Sequence, residues 1–372
     1  MTNIVGSTKS FYEIYISFLK KRINLFHKMT INRLLKDNPM NYAKFPRRTY
    51  ITSPTPIEAM PRLSKVLGSE VNLYVKRDDL LPGASGGNKT RKLEFCIGDA
   101  LNEDADTIIT CGAVQSNHCR LTASWAAKEG LDCHLILEER VEGSYKEKGT
   151  GNNFLFELLG VKSIDVVKGG TDMMGAMEEK TAALKKTGKK PYIVSGGASN
   201  PIGSIGYAVC AEEIMNQLNQ MLLNIDHIIV PSGSAGTHAG MVVGMTGINA
   251  NIPISGINVS RVKDVQEEIV WDLAQKTARR LGIKQEIPKQ DIVCYDAYVG
   301  PGYSLPTDSM VEAVKLFSKN EAILLDPVYS GKAAAGLIDL VRKGFFKKGA
   351  NVLFLHTGGS PALYAYLETF RK

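Results

Sequence analysis

The sequence predicts an α/β architecture, with open parallel sheets covered by helices on both faces and two lobes enclosing a cleft. Three observations predict it. From about Pro54 onward, short apolar runs alternate with helix-period segments, the pattern of parallel strands buried on both faces. The chain has 372 residues and 44% hydrophobic content, ample for one large core or two medium ones. Its 35 glycines suit many tight strand-to-helix turns.

The elements follow in order. Residues 71–75 read as a strand. A helix is expected over 89–101, where Leu93, Cys96, Ile97 and Leu101 recur at helical spacing. Residues 107–110 and 134–137 are short apolar strands around a helix over 121–128. Helices are expected over 154–159, 173–185 and 208–222, and strands over 192–194 and 227–230. Then come a strand over 252–259, helices over 262–281, 307–319 and 333–343, a strand over 352–355 and a helix over 362–370. There is no internal repeat and no low-complexity linker.

Charge and cysteine usage narrow the class. The net charge is +7, but residues 1–48 hold ten Lys/Arg and two acids, so the remainder is close to neutral. The basic character belongs to the N-terminal extension and argues nothing for nucleic-acid binding by the main body. The apolar run at 11–19 contains Glu13 and is followed by Lys20-Lys21-Arg22, the wrong order for a secretory signal. A surface or targeting helix, a tail without a role, and a start at Met29 are the readings open there. The six cysteines form no CxxC pair and no metal-like spacing with histidines; scattered thiols suggest a reducing, cytoplasmic setting. No apolar run approaches the roughly 18 to 20 residues of a membrane span.

One stretch carries chemistry first. Lys89 follows a small-residue turn, Ala84-Ser85-Gly86-Gly87, with Asn88 as the expected N-cap. A helix N-terminus lowers the pKa of a neighbouring ammonium, and a free amine attacks carbonyls to form a Schiff base. Taken alone, the stretch also reads as a solvated lysine at a loop-to-helix junction. Three further loops follow strands, where ligands of parallel sheets sit. Cys111-Gly-Ala-Val-Gln115-Ser116-Asn117-His118 ends in four polar side chains, more than capping requires. Pro231-Ser-Gly-Ser234-Ala235-Gly236-Thr237-His238 is a small-residue loop opening a helix near Thr237, suited to an anion. His356-Thr357-Gly-Gly-Ser-Pro361 also offers a hydroxyl. Tyr303 and Tyr329 stand in turn-rich segments where a phenol could reach a cleft. His134, His227 and His356 lie beside apolar strands and read as structural. A reactive amine, an anion loop and a cleft together fit pyridoxal 5'-phosphate. A non-catalytic module binding a phosphate ligand is the alternative of a different class.

Ser85-Gly-Gly-Asn-Lys89-Thr-Arg-Lys-Leu-Glu94, Gln115-Ser-Asn-His118, the loop through Thr237, Gly302-Tyr303 and Asp326-Pro-Val-Tyr329 resemble the 1-aminocyclopropane-1-carboxylate deaminase / D-cysteine desulfhydrase family. The resemblance spans roughly residues 45–372. It implies a two-domain, fold-type II (tryptophan-synthase-β-like) enzyme using pyridoxal 5'-phosphate, with a small lobe over 86–200, a large cofactor-binding lobe from 45–85 and 201–372, and a basic extension over 1–44. It implies that Lys89 holds the cofactor and moves the Cα proton, and that Asn117 bonds the ring oxygen. Ser116 with Gln115 would seat the substrate carboxylate, Ser234, Ala235, Gly236 and Thr237 would bind the phosphate, and Tyr303 and Tyr329 would line the substrate pocket. A small amino-acid substrate and a homodimer are implied as well. One position departs from the deaminase pattern: Ser330 follows Tyr329 where the deaminases have Glu against the ring nitrogen. A hydroxyl from Ser330 or Thr357 cannot keep that nitrogen charged, which shifts the expectation to β-elimination of a thiolate from D-cysteine. Deamination of the cyclopropane substrate and lysis of L-cysteate are the near alternatives.

Overall fold

The computed structural model describes residues 40–371. The readings for residues 11–19 and Met29 lie outside the described residues. In chain order, β1 (Ile57–Ala59), α1 (Pro61–Val66) and β2 (Asn72–Arg77) come first. α2 (Lys89–Asn102), β3 (Thr107–Ala113), α3 (Asn117–Glu129), β4 (Asp132–Glu139), α4 (Asn152–Leu158), β5 (Ser163–Lys168), α5 (Met173–Lys185) and β6 (Pro191–Val194) follow. α6 (Pro201–Met221) leads to β7 (His227–Ser232), α7 (Gly236–Gly247), β8 (Ile254–Asn258), α8 (Lys263–Leu281) and β9 (Val293–Tyr295). α9 (Asp308–Glu321), α10 (Ser330–Arg342), β10 (Asn351–His356) and α11 (Leu367–Arg371) close the chain.

Two sheets result. The larger has the order β1-β2-β10-β7-β8-β9 and is parallel except for β1 at its edge. The smaller, β5-β4-β3-β6, is parallel throughout. Helices cover both, as the apolar strand runs require. The carboxyl ends of β3, β4, β6, β7, β8 and β10 carry the loops described below.

Several expectations need correction. β1, β5, β9 and α1 were not anticipated. β1 and β9 have three residues each, too few for a period, and β5 is an edge strand with no fully buried residue. α6 begins at Pro201, not 208. Asn200 caps it through Gly203 N, with proline at the first helical position, while Gly203 and Gly206 interrupt the apolar pattern. The helix expected over 362–370 is a 3-10 turn, Ser360–Ala365, and then a short helix. Its bonds run i to i+3, as in Ala362 N to Gly359 O and Tyr366 N to Leu363 O.

α2 has no solvent face over most of its length; residues from Thr90 to Ala100 are buried almost without interruption. Leu93, Cys96 and Ile97 pack in the core of the smaller sheet and Phe95 in that of the larger. Arg91 fixes the helix by charge. Its guanidinium donates to both oxygens of Asp78 at 2.8 Å and to Glu213 Oε2 at 2.7 Å. Tyr207 donates to Asp78 Oδ2 at 2.7 Å, and Lys76 to Glu213 Oε1 at 2.5 Å. Burial pushes the Asp78 carboxyl up, but Arg91 and Lys76 outweigh it and hold it below its ordinary range. Replacing Arg91 by Met should leave the buried Asp78 without its directly bonded guanidinium, with only the more distant Lys76 charge, and destabilise the protein by about 3–5 kcal/mol. A urea melt of Arg91→Met that overlays the parent would show that this network does not hold α2.

Candidate active site

Lys89 is the first residue of α2, and a strained turn delivers it. Ser85, Gly86 and Gly87 all have positive φ, at 71°, 66° and 126°. A Cβ on Gly86 would strike the carbonyl oxygens of Asp79 and Leu81, so only glycine fits there. From α3, Arg120 braces the turn by donating to Ala84 O and, at 3.1 Å, to Gly86 O. Asn88 does not cap α2 as expected. Its backbone is already helical, and its side chain instead donates to Thr237 Oγ1 at 2.8 Å. The N-termini of α2 and α7 are thereby tied together. The Lys89 ammonium is pushed down to about 8, and burial is the main cause; Lys92 and the Asp326 charge act in the opposite sense.

Lys89, Ser116, Ser234, Tyr303 and Tyr329 line one cavity of about 290 Å³. Ser116 caps α3, its Oγ accepting from Cys119 N at 3.1 Å, which leaves the hydroxyl proton free to donate. The first-turn N–H groups of α3 have no intrahelical acceptor, so an anion beside Ser116 meets donors. Of the other polar residues expected in this loop, His118 serves the scaffold. Thr110 gives its own proton to Val194 O at 2.7 Å and therefore accepts from His118 Nε2, also at 2.7 Å. Burial, then Lys89 and Lys92, push His118 well below its ordinary range, so it stays neutral.

The loop through Thr237 forms a second anion seat. Ala235 sits at φ 75°, immediately before α7, and turns the chain so that successive N–H groups face one place. Gly236 N is held by Ser199 Oγ at 3.1 Å, and Ser199 Oγ donates to Ser234 Oγ at 2.8 Å. A Cβ on Gly236 would lie 2.7 Å from Ser199 Oγ and 2.9 Å from Lys92 Nζ. Lys92 is therefore part of the seat. It is fully buried, donates to Ser199 at 3.2 Å, and is pushed well below its ordinary range by burial and then by Lys89. Neither Lys92 nor Arg120 has a carboxylate in ion-pair contact among the described residues. An anion here would favour the protonated form of Lys92 that burial disfavours.

The tyrosines meet across the cavity. Tyr303 and Tyr329 hydroxyls are 2.6 Å apart, with rings at 75°, and Lys89 Nζ is 6.0 Å from the Tyr329 ring centroid. Burial raises both phenols, so both stay protonated. Lys332 of α10 holds the loop before Tyr303 by donating to Val299 O and Gly302 O, both at 2.7 Å.

Two expected residues turn elsewhere. Gln115 does not face the carboxylate seat: it donates to Thr150 O at 3.0 Å and accepts from Asn152 N at 2.8 Å, anchoring α4. The Ser330 hydroxyl donates to Asp326 Oδ1 and accepts from Asp326 N, each at 2.8 Å, so it has no proton left for a ligand. Asp326 is itself held by Val328, Tyr329 and Ser330 N–H groups. Asn117 accepts from Asn152 at 2.9 Å, but its amide NH2 lies 2.5 Å from where a Cβ on Gly359 would stand. Thr357 follows β10, and its backbone carbonyl accepts from Asn88 N.

Residues 49–358 match the pyridoxal-phosphate dependent enzymes. The chain belongs to that family. Among solved structures, an ACC deaminase homologue aligns with a TM-score of 0.81 at 37% identity, over 90% of this chain and 98% of that one. An L-serine ammonia-lyase from Rhizomucor miehei (TM-score 0.61, 20% identity, 86% and 98% coverage) and a pyridoxal 5'-phosphate-dependent aspartate racemase (0.58, 17%, 82% and 90%) share the fold. The enzyme's cofactor is pyridoxal 5'-phosphate, and the residues present fit it. Lys89 offers a low-pKa amine for the aldehyde, and the Ser234–Thr237 loop with Lys92 offers a cradle for the phosphate.

The sequence reading missed Lys92 and Ser199, and also Glu138, Arg140 and Arg261 in the cavity wall. A signal existed for each. Lys92 is three residues after Lys89, on the same helix face. The others lie at or just beyond the carboxyl ends of β4, β6 and β8.

Only a neutral amine attacks an aldehyde. The rate at which the cofactor-free protein forms a borohydride-reducible adduct with pyridoxal phosphate should therefore rise with pH and level off above about 8. Lys89→Ala should form none at the active site. An adduct rate that is flat across this range, or peptide mapping of the reduced adduct to another lysine, would contradict the assignment.

Proposed function

We propose that the enzyme catalyses α,β-elimination from a small β-substituted amino acid, with D-cysteine as substrate. D-Cysteine and water give pyruvate, hydrogen sulfide and ammonia: the Cα–H and Cβ–S bonds break, a Cα=Cβ bond forms, sulfur leaves with its electron pair, and water hydrolyses the resulting enamine. When bound, pyridoxal phosphate supplies a conjugated ring that takes up negative charge from Cα.

The chain's residues supply the rest. Lys89, with its ammonium near 8, is matched to take the Cα proton near neutral pH. The Ser116 hydroxyl and the N-terminus of α3 receive the substrate carboxylate. The Ser234–Thr237 loop, Lys92 and Ser199 would hold the phosphate, and Asn117 would offer its amide NH2 to the ring oxygen. The two protonated tyrosines close the cavity above Lys89 and offer a phenolic proton.

The observation that carries the choice of substrate is the residue after Tyr329. It is Ser330, whose proton is committed to Asp326, so Thr357 is the hydroxyl left for the ring nitrogen. No carboxylate follows Tyr329 to keep that nitrogen charged, and charge uptake from Cα is correspondingly weaker. A thiolate leaves readily and needs less help than opening a three-membered ring. The six unpaired cysteines, all buried, support a reducing, cytoplasmic setting. No helix among the described residues is long and apolar enough to cross a membrane. A second reading, deamination of 1-aminocyclopropane-1-carboxylate, is favoured by the 37% identity to the ACC deaminase homologue.

A substrate panel separates the two. Sulfide from D-cysteine should exceed α-ketobutyrate from the cyclopropane substrate in kcat/KM; the reverse order would overturn the proposal. Tyr329→Phe should lower kcat for D-cysteine by about 10²-fold or more if its phenol takes part in proton transfer. An unchanged kcat would reduce Tyr329 to a wall of the cavity.

A further inference from the structure

We propose that the cavity binds its substrate's β-substituent as an anion, through the guanidiniums of Arg140 and Arg261. This rests on the elimination reading above and names the class of substituent that the site selects.

Both side chains line the cavity. Arg140 stands just past the end of β4, and its guanidinium lies 4.4 Å from the Tyr303 ring centroid. Its Nε donates to Glu138 Oε2 at 2.5 Å, which fixes the plane of the fork. Its two Nη groups have no acceptor among the described residues. Arg261 follows β8. Its Nη1 donates to Gly233 O at 2.8 Å and Gln266 Oε1 at 3.3 Å, while Nε and Nη2 have no acceptor among the described residues. Arg261 touches no carboxylate among the described residues. Burial and the Arg140 charge both act against its ionisation, so two like charges face one space with Glu138 as the acid beside them in the cavity wall.

The remaining seats are taken. Ser116 and the N-terminus of α3 suit the α-carboxylate, and the loop at 234–237 suits the phosphate. The wall with Arg140, Arg261 and Tyr303 is left for the β-substituent. Two guanidiniums present paired N–H donors to planar or tetrahedral oxyanions and stabilise a thiolate by charge. Both side chains keep solvent access, so a neutral β-substituent would leave their free N–H groups to water and gain no pairing from them. For D-cysteine, the thiol would be held as thiolate, so the leaving sulfur needs no proton. For a sulfonate such as cysteate, the charge is fixed.

The test uses the holoenzyme and amino acids that bind but cannot react, having no α-hydrogen. Binding is read from the change in cofactor absorbance. α-Methylaspartate, with an anionic β-substituent, should bind at least tenfold more tightly than the neutral α-methylvaline. Arg140→Gln and Arg261→Gln should each lower that ratio about tenfold. Equal affinity for the two ligands in the parent enzyme, or an unchanged ratio in both variants, would overturn the proposal. So would loss of cofactor from Arg261→Gln, which would assign that guanidinium to the phosphate. Keto-acid release from D-cysteine and from cysteate is measured alongside. Arginine-dependent KM for either substrate supports the proposal, and the faster one tells thiolate from fixed oxyanion. Charge-selective binding without keto acid from any substrate would sink the elimination reading and leave the arginine assignment standing. Keto acid without charge selectivity would do the opposite.

Discussion

The bond between Asn88 Nδ2 and Thr237 Oγ1, 2.8 Å long, is the contact on which the site depends. It joins the N-termini of α2 and α7, two helices separated by more than a hundred residues of chain. Each terminus contributes a partial positive charge, and each brings polar groups with it. α2 supplies Lys89 and Lys92, and α7 supplies the loop at 234–237. Arg120 braces the same corner from α3. Positive groups are thus gathered in a dry place where Asp326 is the buried carboxylate opposing them. A phosphate placed there would meet these donors and favour the protonated lysines, because desolvated charge requires a counter-charge.

Much of this was legible in the sequence, for physical reasons. Buried parallel strands must be apolar along their whole length, so β3, β4, β7 and β10 stand out as runs of Ile, Leu and Val. Ligand loops follow the carboxyl ends of such strands, so the loops at 115–118, 234–237 and 357 could be found by position. The edge strand β5 is half exposed and alternates with polar residues, and β1 and β9 are too short to show a period. Arg140 and Arg261 were hidden for a different reason: an arginine at a strand end resembles any surface arginine until the fold shows which cavity it borders.

Side-chain direction is the property that spacing could not reveal. Gln115, Ser116 and Asn117 are consecutive, yet Ser116 faces the cavity while Gln115 turns away to anchor α4. Ser330 and Asp326 lie four apart at the start of α10, and their mutual hydrogen bonds withdraw the hydroxyl that the sequence pattern offered to the ring. In both cases a backbone demand, a helix start or a neighbouring turn, claims the side chain before a ligand can. Asn88 shows the reverse: it gives up capping its own helix and serves the opposite one.

Lys92 carries a consequence for the life of the protein in a cell. Buried beside Lys89, with no carboxylate in ion-pair contact among the described residues, it holds a proton less readily than an ordinary lysine unless an anion lies beside it. A ligand that binds only the folded state stabilises it in proportion to the logarithm of its concentration. Coenzyme supply would then bear on how much of this enzyme survives proteolytic surveillance, so vitamin shortage would thin the pool of enzyme molecules as well as idle them.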